Sequence, residues 1–122
     1  MILGVGNDII EIDRVKEAIE TQGDRFIKKL FTKREQAYCK KFNDPIPHYA
    51  ARFSAKEAIV KALGVGFGEM AAYHDIEIIN NDKGKPEVFF SDVLNSHFNH
   101  PEVLISISHC KNYVATVAIR TK

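Results

Sequence analysis

The sequence predicts an α+β domain built on a mostly antiparallel sheet packed with helices. Three observations carry that prediction. Strand-like alternation appears at the start of the chain, at Asp75–Ile79 with Glu87–Phe90, and at Val103–Ile119. Helical signals separate these segments in the order β, several α, ββ, α, ββ. Between paired strands the breaks are short, as in hairpins, rather than the long crossovers that parallel pairs need. At 122 residues and 45% hydrophobic content the chain fits one domain, residues 1–122, able to bury a real core.

Met1–Ile12 reads as a strand. Ile2, Gly4, Gly6, Asp8, Ile10 and Ile12 share one parity and so one face. Asp8 is the odd member, because a carboxylate on an apolar face is costly unless paired or metal-bound. Gly4 and Gly6 weaken a strand interior and point to a close approach to the backbone. The alternative is a shorter strand ending at Val5, with Asp8 in a solvated turn.

Asp13 can cap a helix to about Gln22 with Gly23 as its stop, and Asp24 a short second one carrying Phe26, Ile27 and Leu30. Thr32-Lys33-Arg34-Glu35 is a capping box, predicting a third helix to about Phe42 with Ala37, Tyr38 and Phe42 inward. Asn43–Pro47 is the clearest break, a loop within the domain.

Arg52–Leu63 is rich in Ala, Lys and Glu, lacks Pro and stops at Gly64, which predicts a helix. Ser54, Glu57 and Lys61 form one narrow polar stripe, and Arg52 and Lys56 a second polar edge. The rest of the circumference is apolar, so the helix is expected to be buried with its polar stripe facing a cleft or partner. An acid and a lysine there, just before Gly64-Val65-Gly66-Phe67-Gly68, suit a phosphate and its metal ion. Asn80–Pro86 is a hairpin turn between two strands. Ser91 caps a helix from Asp92 to about Phe98. Val103–His109 and Asn112–Ile119 form the last hairpin.

Net charge is +1, unevenly placed. Arg25–Lys41 holds seven bases and one acid, a net of +6 that leaves −5 elsewhere. Such asymmetry fits an acidic partner at one face, or simply a solvated basic surface. No nucleic-acid-binding pattern is present, so no nucleic-acid partner is expected. No run approaches the roughly 20 apolar residues of a membrane span, so no membrane partner is expected either. The apolar start is too short for a signal peptide, and Cys39 and Cys110 show no metal or redox spacing. A cytoplasmic protein with two free thiols is expected.

Taken singly, the chemical signals are weak. The glycine turn follows a helix and lacks the Gly-Lys-Ser/Thr ending of a P-loop, so it also reads as a connector. Glu57 and Lys61, four apart, also read as a surface ion pair. His109 alone reads as a turn histidine. In combination they are specific. Gly6-Asn7-Asp8 with Arg14, Arg52-Phe53-Ser54-Ala55-Lys56-Glu57-Ala58-Ile59-Val60-Lys61-Ala62, and Ser106-Ile107-Ser108-His109 together closely resemble the holo-(acyl-carrier-protein) synthases of the 4′-phosphopantetheinyl transferase superfamily. The resemblance spans essentially the full chain, including Gly84–Pro86. It departs at Val65, where many members carry Thr, a difference of one hydroxyl contact.

The resemblance implies an enzyme that moves the 4′-phosphopantetheine arm of coenzyme A onto a serine of apo acyl carrier protein, for fatty acid biosynthesis, releasing adenosine 3′,5′-bisphosphate. Asp8 and Glu57 would hold one Mg²⁺, an ion that favours one or two carboxylates with substrate phosphate and water completing its octahedron. Lys61 would contact the pyrophosphate. Arg52, Lys56 and His109 would contact phosphates, Gly64 and Gly66 would let the backbone approach, and Gly84 and Pro86 would border the adenine. The base that takes the serine proton is open among Glu57, a water on the metal and Asp8. Arg14, Arg25, Phe26, Lys28 and Lys29 would dock the acidic carrier protein. The small members are homotrimers with sites at subunit boundaries, so a homotrimer is expected.

Overall fold

The computed structural model describes residues 1–122. Its elements are β1 (Gly4–Glu11), α1 (Ile12–Gln22), α2 (Asp24–Leu30), α3 (Lys33–Cys39), α4 (Ile46–Leu63), a 3-10 turn (Tyr73–Asp75), β2 (Ile76–Asn80), β3 (Pro86–Phe90), α5 (Asp92–Phe98), β4 (Val103–His109) and β5 (Tyr113–Arg120). All strand pairs are antiparallel, as expected. They form two sheets rather than one: β1-β5-β4, and the separate hairpin β2-β3.

Helix α4 is the hub. It lies across the inner face of β1 and β5 and contributes to both apolar clusters. One cluster joins Ala55, Ala58, Ile59 and Ala62 to Ile76, Ile78, Leu94 and Ala118. The other gathers Tyr49 and Ala50 with Val15, Leu30, Phe31, Cys39 and Val114 beneath α1–α3. The predicted parity of β1 holds from Gly4 to Ile10, but the strand is shorter than Met1–Ile12: Ile2 lies before it, 61% exposed, and Ile12 opens α1. Gly6 is buried and Asp8 and Ile10 are half-buried, while Val5, Asn7 and Ile9 face outward. The close approach at its glycines comes from α4 itself. A Cβ on Gly4 would overlap the Ala62 carbonyl oxygen, and one on Gly6 the Ala58 carbonyl oxygen. The helix thus seats directly on the strand, bringing Ser54, Glu57 and Lys61 to the level of Asp8.

Several boundaries differ from the sequence expectation. Helix α4 starts at Ile46, six residues before Arg52, because Pro45 and Pro47 occupy its first turn, where a missing N–H costs nothing. Helix α3 ends at Cys39, and its inward residues are Glu35 and Cys39, with Ala37 exposed. The capping box is formed: the Glu35 amide donates to Thr32 Oγ1 at 3.2 Å and the Thr32 amide to Glu35 Oε1 at 2.9 Å. Phe42 lies outside the helix, half-exposed and stacked on His48 with centroids 3.6 Å apart. Gly64 ends α4 in the left-handed conformation at φ 81°, where glycine carries no Cβ penalty. Cys39 is buried and Cys110 exposed, both free. No helix is long and apolar enough to cross a membrane.

Candidate active site

Asp8 projects from the middle of β1 toward α4, opposite Thr116 of β5 in the strand register. Its side chain is 15% exposed, and Oδ2 is buried without a hydrogen-bond partner. Burial pushes its carboxyl above the ordinary 3.8, opposed by the Ser54 hydroxyl and the Lys61 charge. The Thr116 hydroxyl donates to Ser54 Oγ at 2.9 Å and fixes that residue from behind.

Glu57 is one turn along α4 from Ser54. Its carboxyl is also raised, by desolvation first and then by the negative charge of Asp8, with Tyr73 and Lys61 lowering it. Two acids 49 positions apart in the sequence therefore feel each other's charge in the folded chain. Tyr73 Oη donates to Glu57 Oε1 at 3.3 Å, and burial with the Glu57 charge pushes this phenol up to about 12.

Lys61 completes the stripe. Its Nζ donates to the Asn7 carbonyl at 2.9 Å and lies 3.8 Å from Asp8 Oδ1, yet the side chain stays half-exposed. Asn7, Asp8 and Lys61 line a groove of about 530 Å³ whose other walls are Ile9, Ser106, Ser108, Ala115, Thr116 and Val117. Glu57 is not among its walls.

The donor set suits a hard divalent ion. It offers two carboxylates whose desolvation a cation would offset, one oxygen of them without any partner, and too few protein ligands to fill a cage. Such a site leaves coordination positions for substrate oxygens.

Not every residue expected at the ligand is available to it. Lys56 is fully buried, contrary to the expected phosphate contact. Its Nζ donates to Glu35 Oε1 at 2.7 Å, to the Leu30 carbonyl at 2.7 Å and to the Tyr73 carbonyl at 3.0 Å. Desolvation lowers its pKa, and the Glu35 charge opposes the shift. Glu35 Oε2 in turn accepts from the Ile78 amide at 3.0 Å, so this internal pair ties α2, α3, α4 and β2 together. Arg52 is also turned inward. It donates to the Ile78 carbonyl at 3.1 Å and to Asn80 Oδ1 at 2.8 Å, and its guanidinium lies 4.2 Å from the Tyr38 ring centroid. The sequence placed both on a polar edge of α4. The partners that turn that edge inward, Glu35 and β2, are not local in the chain.

His109 is exposed at the end of β4, beside a recess of about 360 Å³ that it shares with Ile9, Ser108, Cys110 and Tyr113. Gly64 and Gly66 are exposed, with open space where a side chain would be. Gly84 turns the β2-β3 hairpin at φ 84°, and Pro86 borders a slot of about 460 Å³ between β3 and β4. Arg25, Lys28 and Lys29 are exposed on α2, and Arg14 is exposed on α1, 3.6 Å from Glu11. Phe26 is half-buried in an aromatic row, its centroid 6.4 Å from both Phe31 and Phe53, so only part of its ring is free.

Tyr73, Thr116 and Phe67 were not singled out from sequence. Thr116 had a signal, a lone hydroxyl on the inward parity between Val114 and Ala118. Tyr73 had none, since it lies in an unpatterned stretch and reaches Glu57 only through the fold.

Two desolvated acids and a half-exposed lysine thus meet where α4 seats on β1, and comparison with known proteins gives the chain a family. Residues 4–118 match the model of the 4′-phosphopantetheinyl transferase superfamily, and the chain belongs to that family. It is 50% identical, over 98% of both chains, to the holo-[acyl-carrier-protein] synthase of Protochlamydia amoebophila. Among solved structures it resembles the holo-[acyl-carrier-protein] synthase of Neisseria meningitidis, with a TM-score of 0.93 and 29% identity over the whole of both chains. The enzyme from Bacillus anthracis, solved in complex with CoA (3′,5′-ADP), is 35% identical, with a TM-score of 0.83 over 100% of this chain and 99% of that one.

Proposed function

We infer that this chain transfers the 4′-phosphopantetheine group of coenzyme A to a serine of apo acyl carrier protein, giving the holo carrier and adenosine 3′,5′-bisphosphate. Its place is in fatty acid biosynthesis, in the cytoplasm. The observation that carries the reading is the coupled pair Asp8 and Glu57, desolvated beside Lys61, in a chain of this family.

In the reaction the serine oxygen attacks the phosphorus that bears the pantetheine arm. The bond from that phosphorus to the bridging oxygen breaks, and the electron pair leaves on the 5′-phosphate of the nucleotide. Asp8 and Glu57 would hold a Mg²⁺, which when bound would neutralise charge on the diphosphate. Lys61, exposed at the groove, binds the diphosphate and stabilises the leaving phosphate. The serine proton goes to Glu57, to a water on the metal or to Asp8.

Exposed Gly64 and Gly66 let the backbone approach the nucleotide. His109 contacts its 3′-phosphate, and Gly84 and Pro86 border its adenine. Lys56 and Arg52 are left out of the ligand contacts, because they tie α4 to α3 and β2. The acidic carrier docks on Arg14, Arg25, Lys28 and Lys29, with the free edge of Phe26 as an apolar contact.

The active form is a homotrimer. The outer face of β1-β5-β4 supports this, because Val5, Ile9 and Leu104 are 61%, 69% and 60% exposed on one apolar surface continuous with the groove. A second copy of the chain covers it and completes the groove.

The test is transfer of a labelled pantetheine arm from coenzyme A to apo carrier protein with Mg²⁺. Wild type transfers the label and Glu57→Gln loses at least about a hundredfold in rate. Undiminished transfer by that variant overturns the metal assignment.

A further inference from the structure

Tyr73 is held on three sides. Its ring stacks on Phe67, with centroids 3.7 Å apart and planes at 15°, and it faces Phe53 at 6.3 Å and 19°. Its carbonyl accepts from the buried Lys56 Nζ at 3.0 Å, so its backbone is fixed by the internal pair with Glu35. Its hydroxyl has one recorded partner, Glu57 Oε1. Phe67 belongs to the glycine-rich turn that closes α4. A continuous chain of contacts therefore runs from that turn and from the Lys56–Glu35 pair to a single carboxylate oxygen.

Three of those contacts are what packing requires, but the hydroxyl contact is not. A phenylalanine would keep the stack and the carbonyl bond, and the Glu57 oxygen could meet water instead. The phenol's place against a half-buried carboxylate is what an outer ligand-orienting group needs: a neutral donor that occupies one carboxylate oxygen and leaves the other free.

We propose that Tyr73 is a positioning residue, which turns the Glu57 carboxylate so that its remaining oxygen meets the divalent ion, and that Phe67 holds Tyr73 in register with the glycine-rich turn. The proposal rests on the metal-holding reading of Asp8 and Glu57. It adds a group that touches neither metal nor substrate, and it makes Glu57 sensitive to how the glycine turn is set.

The experiment measures Mn²⁺ binding to the full-length protein saturated with coenzyme A, by electron paramagnetic resonance of free Mn²⁺, alongside transfer kinetics. Wild type, Glu57→Gln, Tyr73→Phe and Phe67→Leu are compared at equal thermal stability. Tyr73→Phe is expected to weaken Mn²⁺ binding roughly tenfold and to raise the Mg²⁺ needed for half-maximal transfer by a similar factor. Its KM for carrier protein stays unchanged, and saturating Mg²⁺ restores much of kcat. Phe67→Leu, which keeps the hydroxyl but loosens its seat, falls between the two. If Glu57→Gln binds Mn²⁺ like wild type, the metal reading itself fails. If Glu57→Gln loses Mn²⁺ while Tyr73→Phe keeps wild-type affinity and Mg²⁺ dependence, the Tyr73 proposal alone is overturned.

Discussion

Lys61 Nζ lies 3.8 Å from Asp8 Oδ1 and donates to the carbonyl of the preceding Asn7, so one side chain of α4 grips β1 at two adjacent points. The side chain is half-exposed, so its ammonium is accessible to an incoming diphosphate. Lys61→Ala should lower kcat/KM for coenzyme A on the order of a hundredfold. Steady-state kinetics with apo carrier protein checks this, with Lys61→Arg recovering part of the loss.

Asp8 is placed against its own stability. Its raised pKa means that the folded state favours the protonated acid. The stabilisation linked to that proton is complete below the ordinary 3.8 and is lost as pH rises through the raised value. At pH 7 without metal, Asp8→Asn should therefore raise the melting temperature by about 2–5 °C while abolishing transfer. The difference should shrink as pH falls through the raised value, where Asp8 takes up its proton and becomes neutral like the amide. Calorimetry across that range reads both effects.

The Lys56–Glu35 pair predicts a different phenotype for a lysine in the same motif. Removing one partner leaves a buried charge with no counterion. Lys56→Met should cost about 3–5 kcal/mol of stability, read by urea denaturation. A phosphate-contacting lysine would instead leave stability unchanged and raise KM for coenzyme A.

An outward charge on the three-stranded sheet should separate assembly from folding. Leu104→Asp should reduce the sedimenting species from trimer to monomer and remove transfer activity, with far-ultraviolet circular dichroism unchanged. A monomeric wild type, or a Leu104→Asp protein that remains trimeric and active, contradicts the proposed interface.

Much of this was legible in the chain because its signals are local. Alternation and caps placed β4 at Val103–His109 and α5 at Asp92–Phe98 with the observed bounds, the Ser91 hydroxyl accepting from the Leu94 amide. The carboxylate stranded on the inward parity of β1 was visible as an anomaly before its companion could be located. What was not legible depends on contacts distant in sequence. Lys56 and Arg52 look like solvent-facing cations until Glu35 and β2 fold over them. The glycines of β1 announced a close approach without saying that α4 would make it. The split into two sheets depends on where β3 and β4 stop short of pairing, which no local pattern encodes.

The central claim is that Asp8 and Glu57 jointly hold one divalent ion against the diphosphate of coenzyme A. Anomalous diffraction from crystals soaked with Mn²⁺ and coenzyme A tests it directly. The account predicts one peak within coordination distance of an oxygen of each carboxylate and in contact with the diphosphate. A peak held by neither acid, or coenzyme A bound with its diphosphate away from Asp8 and Glu57, would contradict it.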